Sequence, residues 1–157
     1  MDTKLKADIA ESAVITELLM RGYRVLQPVG DRLSYDLVVD HNGQFIRLQI
    51  KAAWYNARKK MFIVDNRRTR TNRRKMLRSR YSLSDFDFAI LFVYEEKAFY
   101  VMPIKIFVSY ASSIAIVEDK KRQRPPRSSV YRSRWDLIKD FRGEFCTSPH
   151  NRMQICV

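Results

Sequence analysis

Alternating apolar and polar positions mark a β-hairpin in the first third of the chain. Apolar side chains recur at every second position in residues 35–39 and again in residues 46–50, which is the period of a strand with one buried face. Asn42 and Gly43 lie between the two runs, and this dipeptide favours a type I′ turn because both central residues need positive φ. The pattern therefore predicts two antiparallel strands joined at this turn.

A hairpin centred on this turn fixes which residues face each other. Asp36 lies opposite Gln49, and Lys51 is diagonal to Asp36 because side chains alternate with period two. We therefore expect Asp36, Gln49 and Lys51 to share one face. The other face carries an apolar set that is predicted to be core: Tyr35, Leu37, Val39, Ile46, Leu48 and Ile50. A shift by one residue would exchange the two faces, so the register is well specified.

Upstream of the hairpin, residues 4–21 are predicted to form a helix that stops at Gly22, because a left-handed residue commonly follows the last turn. On this helix Glu11 lies near the centre of one broad apolar stripe. The stripe comprises Ala7, Ala10, Val14, Ile15, Leu18 and Leu19. A carboxylate there needs a proton, an ion pair or a metal, because an isolated buried charge is costly. Solvent or a lysine would also satisfy Glu11, but the polar face of the hairpin supplies the partners of a metal site.

The rest of the chain predicts a mixed α/β architecture. Residues 88–93 form a dense apolar run that is typical of a central buried strand. The other predicted elements are strands at 23–27, 61–64 and 113–117, a second hairpin formed by 87–94 and 98–103, and short helices after Pro103 and at 135–141. The strand at 61–64 is expected to be a third sheet partner of the first hairpin. We therefore predict a single α/β domain over residues 1–157, with a mixed central sheet flanked by helices.

Positive charge is concentrated in two segments. The chain has 30 lysines and arginines against 17 acidic residues, and its formal net charge of +13 indicates a polyanionic partner such as a phosphate backbone. The first cluster comprises Arg58, Lys59, Lys60, Arg67, Arg68, Arg70, Arg73, Arg74, Lys75, Arg78 and Arg80, and the second comprises Lys120, Lys121, Arg122, Arg124, Arg127, Arg132 and Arg134. An ordinary solvated surface would mix both signs. Neither segment forms the amphipathic helix that would favour a membrane surface.

Other protein classes find no support in the sequence. No stretch approaches the length of uncharged apolar residues that a membrane span needs, and the N-terminus lacks the apolar core of a signal peptide. We therefore expect a cytoplasmic protein that does not bind membranes. Cys146 and Cys156 lack the CxxC spacing of a zinc site, and they indicate no disulfide scaffold.

The predicted polar face has the chemistry of a phosphodiester-hydrolysing site. A hard divalent ion such as Mg²⁺, or Mn²⁺ in its place, is usually held by one or two carboxylates together with waters and phosphate oxygens. Asp36 is the best first ligand, and Glu11 is the second if the helix packs across the hairpin. Gln49 can add a neutral amide oxygen, directly or through a bound water. Lys51 could orient the attacking water and stabilise charge that develops on the phosphate.

Glu11, Asp36 and Gln49-Ile50-Lys51, in this order on helix, strand and strand, resemble the motif of the PD-(D/E)xK nuclease superfamily. Tyr35 replaces the usual proline, and Gln49 replaces the usual acidic residue. In that last respect the chain resembles the homing endonucleases encoded by bacterial group I introns, in which a glutamine belongs to the pattern and a homotetramer grips a long DNA site. The resemblance implies a PD-(D/E)xK nuclease-like core, metal binding by Glu11 and Asp36, active-site roles for Gln49 and Lys51, and a homotetramer, with a dimer as the alternative.

The basic segments at 55–84 and 118–134 are predicted to contact double-stranded DNA, next to a catalytic region at 1–55. Sequence selection needs bidentate contacts to base edges, for which the candidates are Arg67, Arg70, Asn72, Arg73, Arg74 and Lys75. Further contacts are expected from Tyr55, Arg58 and Lys60, and from Arg122, Arg124 and Arg127 in the second cluster.

Three functions remain open at this point. The first is a sequence-specific, Mg²⁺-dependent endonuclease of the homing type that cuts both DNA strands. The second is a Holliday-junction resolvase or another structure-specific nuclease, which would not need the long arginine-rich stretch between residues 57 and 81. The third is a DNA-binding module without catalysis, in which the chemistry has lapsed at Gln49.

Overall fold

The structure is a computed structural model that describes residues 2–30, 32–72, 75–119 and 123–142. Its α-helices are α1 (Thr3–Met20), α2 (Ile104–Phe107) and α3 (Asp136–Lys139), and a 3₁₀ helix spans Arg127–Tyr131. Its strands are β1 (Arg24–Leu26), β2 (Leu37–His41), β3 (Gln44–Ala52), β4 (Trp54–Asn56), β5 (Met61–Asp65), β6 (Arg67–Asn72), β7 (Lys75–Arg80), β8 (Phe88–Val93), β9 (Ala98–Pro103) and β10 (Ser113–Ile116). The predicted first helix, both hairpins and the short helices are confirmed, with ends that differ by a few residues.

A mixed five-stranded sheet forms the centre of the fold, in the order β1-β2-β3-β8-β9. Strands β3 and β8 run parallel, and the other neighbours are antiparallel. The first hairpin has the predicted register: Leu37 pairs with Leu48, and the turn residues Asn42 and Gly43 have φ of 54° and 81°. The turn chemistry and the apolar alternation therefore set the pairing that the sequence predicted.

Helix α1 packs on one face of the central sheet. Its residues Ala10, Val14 and Leu18 are fully buried in a cluster with the apolar face of the first hairpin. The chain leaves the helix through Gly22, whose φ is +80°, as predicted. The predicted stripe was too wide, however, because Ala7 and Leu19 are exposed. Consequently Glu11 lies at the edge of the buried stripe and not at its centre.

A second hydrophobic cluster covers the opposite face of the central sheet, where β5 lies between β10 and β4 in a three-stranded sheet. The prediction that residues 61–64 join the first hairpin is therefore wrong. Strand β8 takes the free edge of β3 instead, because all six of its residues are apolar and can be buried on both faces. Tyr35 was also placed on the wrong side, since it packs against this second cluster. The strand pairing ends at Leu37, so the period-two alternation does not extend to Tyr35.

The basic segment forms a two-stranded antiparallel sheet from β6 and β7. Arg67 pairs with Arg80 at the base of this hairpin, and Asn72 pairs with Lys75 at its tip. The sequence predicted only a basic segment here and no strands, because these strands have no apolar face whose period would indicate them. We call this element the basic hairpin.

An ion pair between Arg47 and Asp87 fastens the first hairpin to the start of β8. The guanidinium donates from Nε and Nη2 to the two carboxylate oxygens at 3.2 and 3.0 Å, and Arg47 N also donates to Asp87 Oδ2 at 2.7 Å. The Asp87→Ala variant is expected to lose about 2 kcal/mol of unfolding free energy, because it leaves charged donors without their acceptor. Urea denaturation measures this loss. The Asp136→Ala variant, which breaks a shorter but exposed pair with Arg134, should be unchanged within error.

Candidate active site

Asp36 lies just before β2, where the strand pairing with β3 ends. Its backbone N donates to Leu48 O at 2.9 Å, and its carboxylate turns towards β3. Ile50 N donates to Asp36 Oδ2 at 2.6 Å, and Gln49 Nε2 donates to the same oxygen. Among the described residues, no donor reaches Oδ1. The carboxylate is thus held through one oxygen, which leaves the other oxygen available.

Burial is the main cause that raises the pKa of Asp36 above its ordinary value. The negative charge of Glu11 raises it further. The hydrogen bond from Ile50, the charge of Lys51 and the bond from Gln49 act in the opposite direction, but they do not compensate for burial. The ionised carboxylate is therefore an unfavourable state that a cation would stabilise.

Gln49 lies next to Asp36, as the register predicted. Its side chain is buried, and Nε2 also donates to Ile50 O at 3.2 Å. The amide thus acts as a donor that orients the carboxylate of Asp36. A glutamate at this position would instead place a second negative charge against the Asp36 carboxylate.

Lys51 lies on the same face of β3 as Gln49. Its Nζ donates to Arg67 O at 3.3 Å and lies 5.2 Å from the centre of the Tyr81 ring. Burial lowers the pKa of Lys51; the charges of Asp36 and Asp65 oppose this effect. The structure therefore places a partly desolvated ammonium group on the face that carries Asp36 and Gln49.

Glu11 approaches this group from α1. Its side chain is half-buried, and Gln27 Nε2 donates to its Oε1 at 3.0 Å. Among the described residues its partner is therefore a neutral amide and not a lysine, which leaves the negative charge of Glu11 to act on its surroundings. Because Glu11 raises the pKa of Asp36, its charge acts on the same site. The helix thus packs across the hairpin as the sequence analysis required.

The candidate DNA contacts fall in different surroundings. Arg67, Arg70, Asn72 and Lys75 belong to the basic hairpin, whereas Arg73, Arg74 and Arg122 lie outside the described residues. Arg58 and Arg124 are exposed. Arg127 donates from Nη2 to Ser109 Oγ at 2.8 Å and lies over the Tyr110 ring, so this guanidinium already has intramolecular partners.

Tyr55 and Lys60 lie in a cleft of about 500 Å³ that acidic side chains also line. These acids are Glu95, Glu96, Glu118 and Asp119. Phosphates that approach this cleft would meet negative charge, which makes Tyr55 and Lys60 the least favourable of the candidate contacts.

Two residues near the site were not expected from the sequence. Tyr81 lies beside the Lys51 ammonium, and Arg68 donates to the loop that leads to Asp36. Both contacts join segments that are distant along the chain, and neither produces a local pattern. Only the tertiary structure could have identified them.

Comparisons with known proteins bear on the family and the fold of the chain. A family model described as PD-(D/E)XK endonuclease matches residues 1–138. A solved structure of a bacterial homing endonuclease, I-Ssp6803I, is similar with a TM-score of 0.82 and 52% sequence identity, over 88% of this chain and 93% of that chain. The search of curated proteins finds no match.

Proposed function

Because the chain belongs to the PD-(D/E)XK endonuclease family, we propose that it is a homing endonuclease that cuts both strands of a specific DNA site with a divalent metal ion. One observation carries the proposal: Asp36, Gln49 and Lys51 share one face of the first hairpin, where the charge of Glu11 also acts on Asp36. The similarity to a homing endonuclease over most of both chains supports the choice of substrate. Glu11, Asp36, Gln49 and Lys51 are the proposed active-site residues.

The donor set fits a hard divalent cation. Asp36 has an oxygen without a donor among the described residues, and the charge of Glu11 adds to the cost of ionising Asp36. The described residues contain no cluster of three or more His, Cys, Asp and Glu side chains that could hold a metal. Mg²⁺ usually takes one or two carboxylates and completes its shell with waters and phosphate oxygens. We therefore assign Mg²⁺, or Mn²⁺ in its place, to Asp36 and Glu11.

The roles of the side chains follow from their chemistry. The bound ion supplies Lewis-acid activation of the phosphodiester and of the attacking water. Gln49 holds the Asp36 carboxylate in one orientation through its amide. The Nζ ammonium of Lys51 stabilises the negative charge that develops on the phosphate, and its partial desolvation strengthens that interaction.

The basic hairpin is the proposed DNA-reading element. The major groove is wide enough to admit a two-stranded β-ribbon, which is the shape that β6 and β7 form. We propose that Arg70, Asn72 and Lys75 of the hairpin, together with Arg73 and Arg74, contact base edges. Arg67 at its base and the other cationic candidates (Arg58, Lys60, Arg122, Arg124 and Arg127) are proposed to neutralise phosphates, to which Tyr55 would donate a hydrogen bond.

A double-strand cut also bears on assembly. One chain offers a single proposed site, so cutting both strands at one target is simplest with a second copy. We propose a homo-oligomer, a tetramer by resemblance, in which residues 1–157 of each copy form one nuclease domain.

No helix in the described ranges is long and apolar enough to cross a membrane. We propose the cytoplasm as its location, because the substrate is DNA.

The proposal is tested by selecting cleaved sites from a randomised duplex library in Mg²⁺. We expect one long consensus site that is cut on both strands. An immobile four-way junction, offered as a competing substrate, should remain intact. Cleavage of the junction alone would establish a resolvase, and binding without cleavage in any divalent ion would establish a DNA-binding module.

Metal binding is expected to appear as a change in thermal stability. Mg²⁺ at a hundred times its Kd should stabilise the folded wild type by about 2.7 kcal/mol and should leave Asp36→Asn unchanged. In EDTA we expect the wild type to be less stable than Asp36→Asn. Folding raises the pKa of Asp36 above its ordinary value of 3.8, so the native state loses stability as the pH rises through that raised pKa. Asp36→Asn removes this cost, so its Tm in EDTA should exceed that of the wild type.

Scanning calorimetry at neutral pH measures both effects. The matched control is Asp40→Asn, since Asp40 Oδ1 accepts a hydrogen bond from Gly43 N that an asparagine oxygen can also accept. This control should respond to Mg²⁺ as the wild type does. Equal stabilisation of Asp36→Asn by Mg²⁺ would show that the ion binds elsewhere.

A further inference from the structure

The base of the basic hairpin contacts two parts of the proposed active site, namely Lys51 and the loop that leads to Asp36. Arg67 and Arg68 are the first two residues of β6, and Tyr81 directly follows β7. Arg67 O accepts the hydrogen bond from Lys51 Nζ, and the Tyr81 ring lies beside the same ammonium. The two strands of the hairpin thus converge on Lys51 from both sides.

Arg68 links the hairpin to the other half of the site. Its Nη2 donates to Arg32 O at 3.1 Å and to Leu33 O at 2.7 Å, in the loop that leads to Asp36. Ser34 Oγ holds the same loop by donating to Asp85 O at 3.1 Å, in the segment that follows β7. The approach to Asp36 is therefore fastened on both sides to the chain at the hairpin base.

The hairpin base is firmly anchored at one point and unsatisfied at another. Tyr81 is buried and packs edge-on against Phe86 and Phe107, with ring centres 5.1 and 5.9 Å apart. Arg67 Nε, in contrast, is buried and has no acceptor among the described residues, which is an unfavourable state for a charged donor. A change at the base that supplied an acceptor would be favourable. A displacement of the hairpin can therefore reach Lys51 and the loop before Asp36 through the contacts of the base.

We propose that the base of the basic hairpin couples DNA binding to cleavage, with Arg68 as a positioning residue that sets the loop before Asp36 while Arg67 O and Tyr81 set Lys51. This inference rests on the proposed function. When the hairpin lies correctly in the major groove, Asp36 and Lys51 are held in their working positions. When the hairpin meets a mismatched site, the same contacts transmit its displacement, so an incorrect sequence lowers the cleavage rate as well as the affinity.

The test compares two arginines of the same hairpin. Arg68→Gln removes the tether and one charge, and Arg80→Gln removes one charge from an exposed side chain on the neighbouring strand. Both variants should lose affinity for DNA by a similar factor. The slope of the logarithm of the binding constant against the logarithm of the salt concentration should also become less steep by up to about one. At saturating DNA, the single-turnover cleavage rate of Arg68→Gln should fall about tenfold below that of Arg80→Gln, since misplacement of reacting groups slows chemistry.

A second variant changes no charge. Ser34→Ala removes the other tether of the loop and should lower the saturated rate in the same direction, with unchanged Kd measured in Ca²⁺. A residue that only bound phosphate would change Kd and leave the saturated rate alone, and this distinguishes the two roles. Thermal unfolding of each variant confirms that it is folded.

The outcomes separate this inference from the proposed function. If the wild type cuts its site and Arg68→Gln cuts as fast as Arg80→Gln at saturation, the coupling is wrong and the nuclease assignment stands. If the wild type cuts no DNA with any divalent ion, the proposed function and this inference are overturned together.

Discussion

Asp36→Asn is expected to lower the rate of DNA cleavage by about a thousandfold, which corresponds to about 4 kcal/mol of lost transition-state stabilisation. Asparagine keeps the size of the side chain and an oxygen that can accept the hydrogen bond from Ile50 N. It lacks the negative charge that is proposed to hold a divalent ion. The basic hairpin, which is proposed to bind DNA, consists of other strands, so affinity for the target should be preserved. Single-turnover cleavage in Mg²⁺ and a binding assay in Ca²⁺ measure the two quantities.

Asp40→Asn is the control for this experiment. It makes the same chemical change in the same hairpin, four residues further along, and its side chain keeps the bond to Gly43 N. We expect its cleavage rate to be within a factor of two of the wild-type rate, as for a surface change of about 0.4 kcal/mol. Substantial cleavage by Asp36→Asn, with Asp40→Asn also active, would contradict the assignment of Asp36 as a metal ligand.

Substitutions of Asp36 and Lys51 by neutral residues are expected to lower the cleavage rate and to raise the stability of the metal-free protein. Burial raises the pKa of Asp36 and lowers the pKa of Lys51, so folding favours the neutral form of both groups. Each charge is nevertheless what the proposed chemistry requires. The site therefore lowers the stability of the metal-free protein, and the divalent ion and the DNA phosphates are expected to offset this cost.

The sequence was sufficient to predict the first hairpin and its register, because its signals are local. Asn42 and Gly43 define the turn, and once the turn is placed, period-two alternation brings Gln49 and Lys51 to the face of Asp36. The predictions failed where this local rule ends. Tyr35 precedes the last pair of the ladder, so its side chain follows the bend at Asp36 and packs on the opposite side of the sheet.

The neighbours of the hairpin could not be predicted because strand pairing across the chain is decided by competition. Residues 61–64 and 88–93 are both apolar enough to extend the first hairpin. Strand β8 occupies that edge because its six buried residues suit a central position, and β5 pairs in the second sheet. The contacts of Lys51 with Arg67 O and Tyr81 follow from this arrangement. They join residues that are 16 and 30 positions apart along the chain, so no local pattern indicates them.

Lys51→Met is expected to reduce cleavage by about a hundredfold to a thousandfold, the range observed when one group that stabilises developing charge is removed. Methionine keeps the apolar stem and loses the ammonium. Folding lowers the pKa of Lys51, so the native state binds fewer protons than the unfolded state, and the charged lysine costs stability below that lowered pKa. Lys51→Met should therefore have a higher Tm than the wild type at neutral pH, together with unchanged affinity for the target.

The pH dependence of cleavage distinguishes a required ammonium from a structural side chain. In the wild type, the rate should fall as the pH rises through the lowered pKa of Lys51, because the ammonium is lost earlier than on an exposed lysine. The residual rate of Lys51→Met should lack this alkaline decline. Lys139→Met, which changes an exposed residue of α3, should retain both the rate and the decline. If Lys51→Met keeps the alkaline decline, another group is titrating, and Lys51 acts through packing and not through its charge.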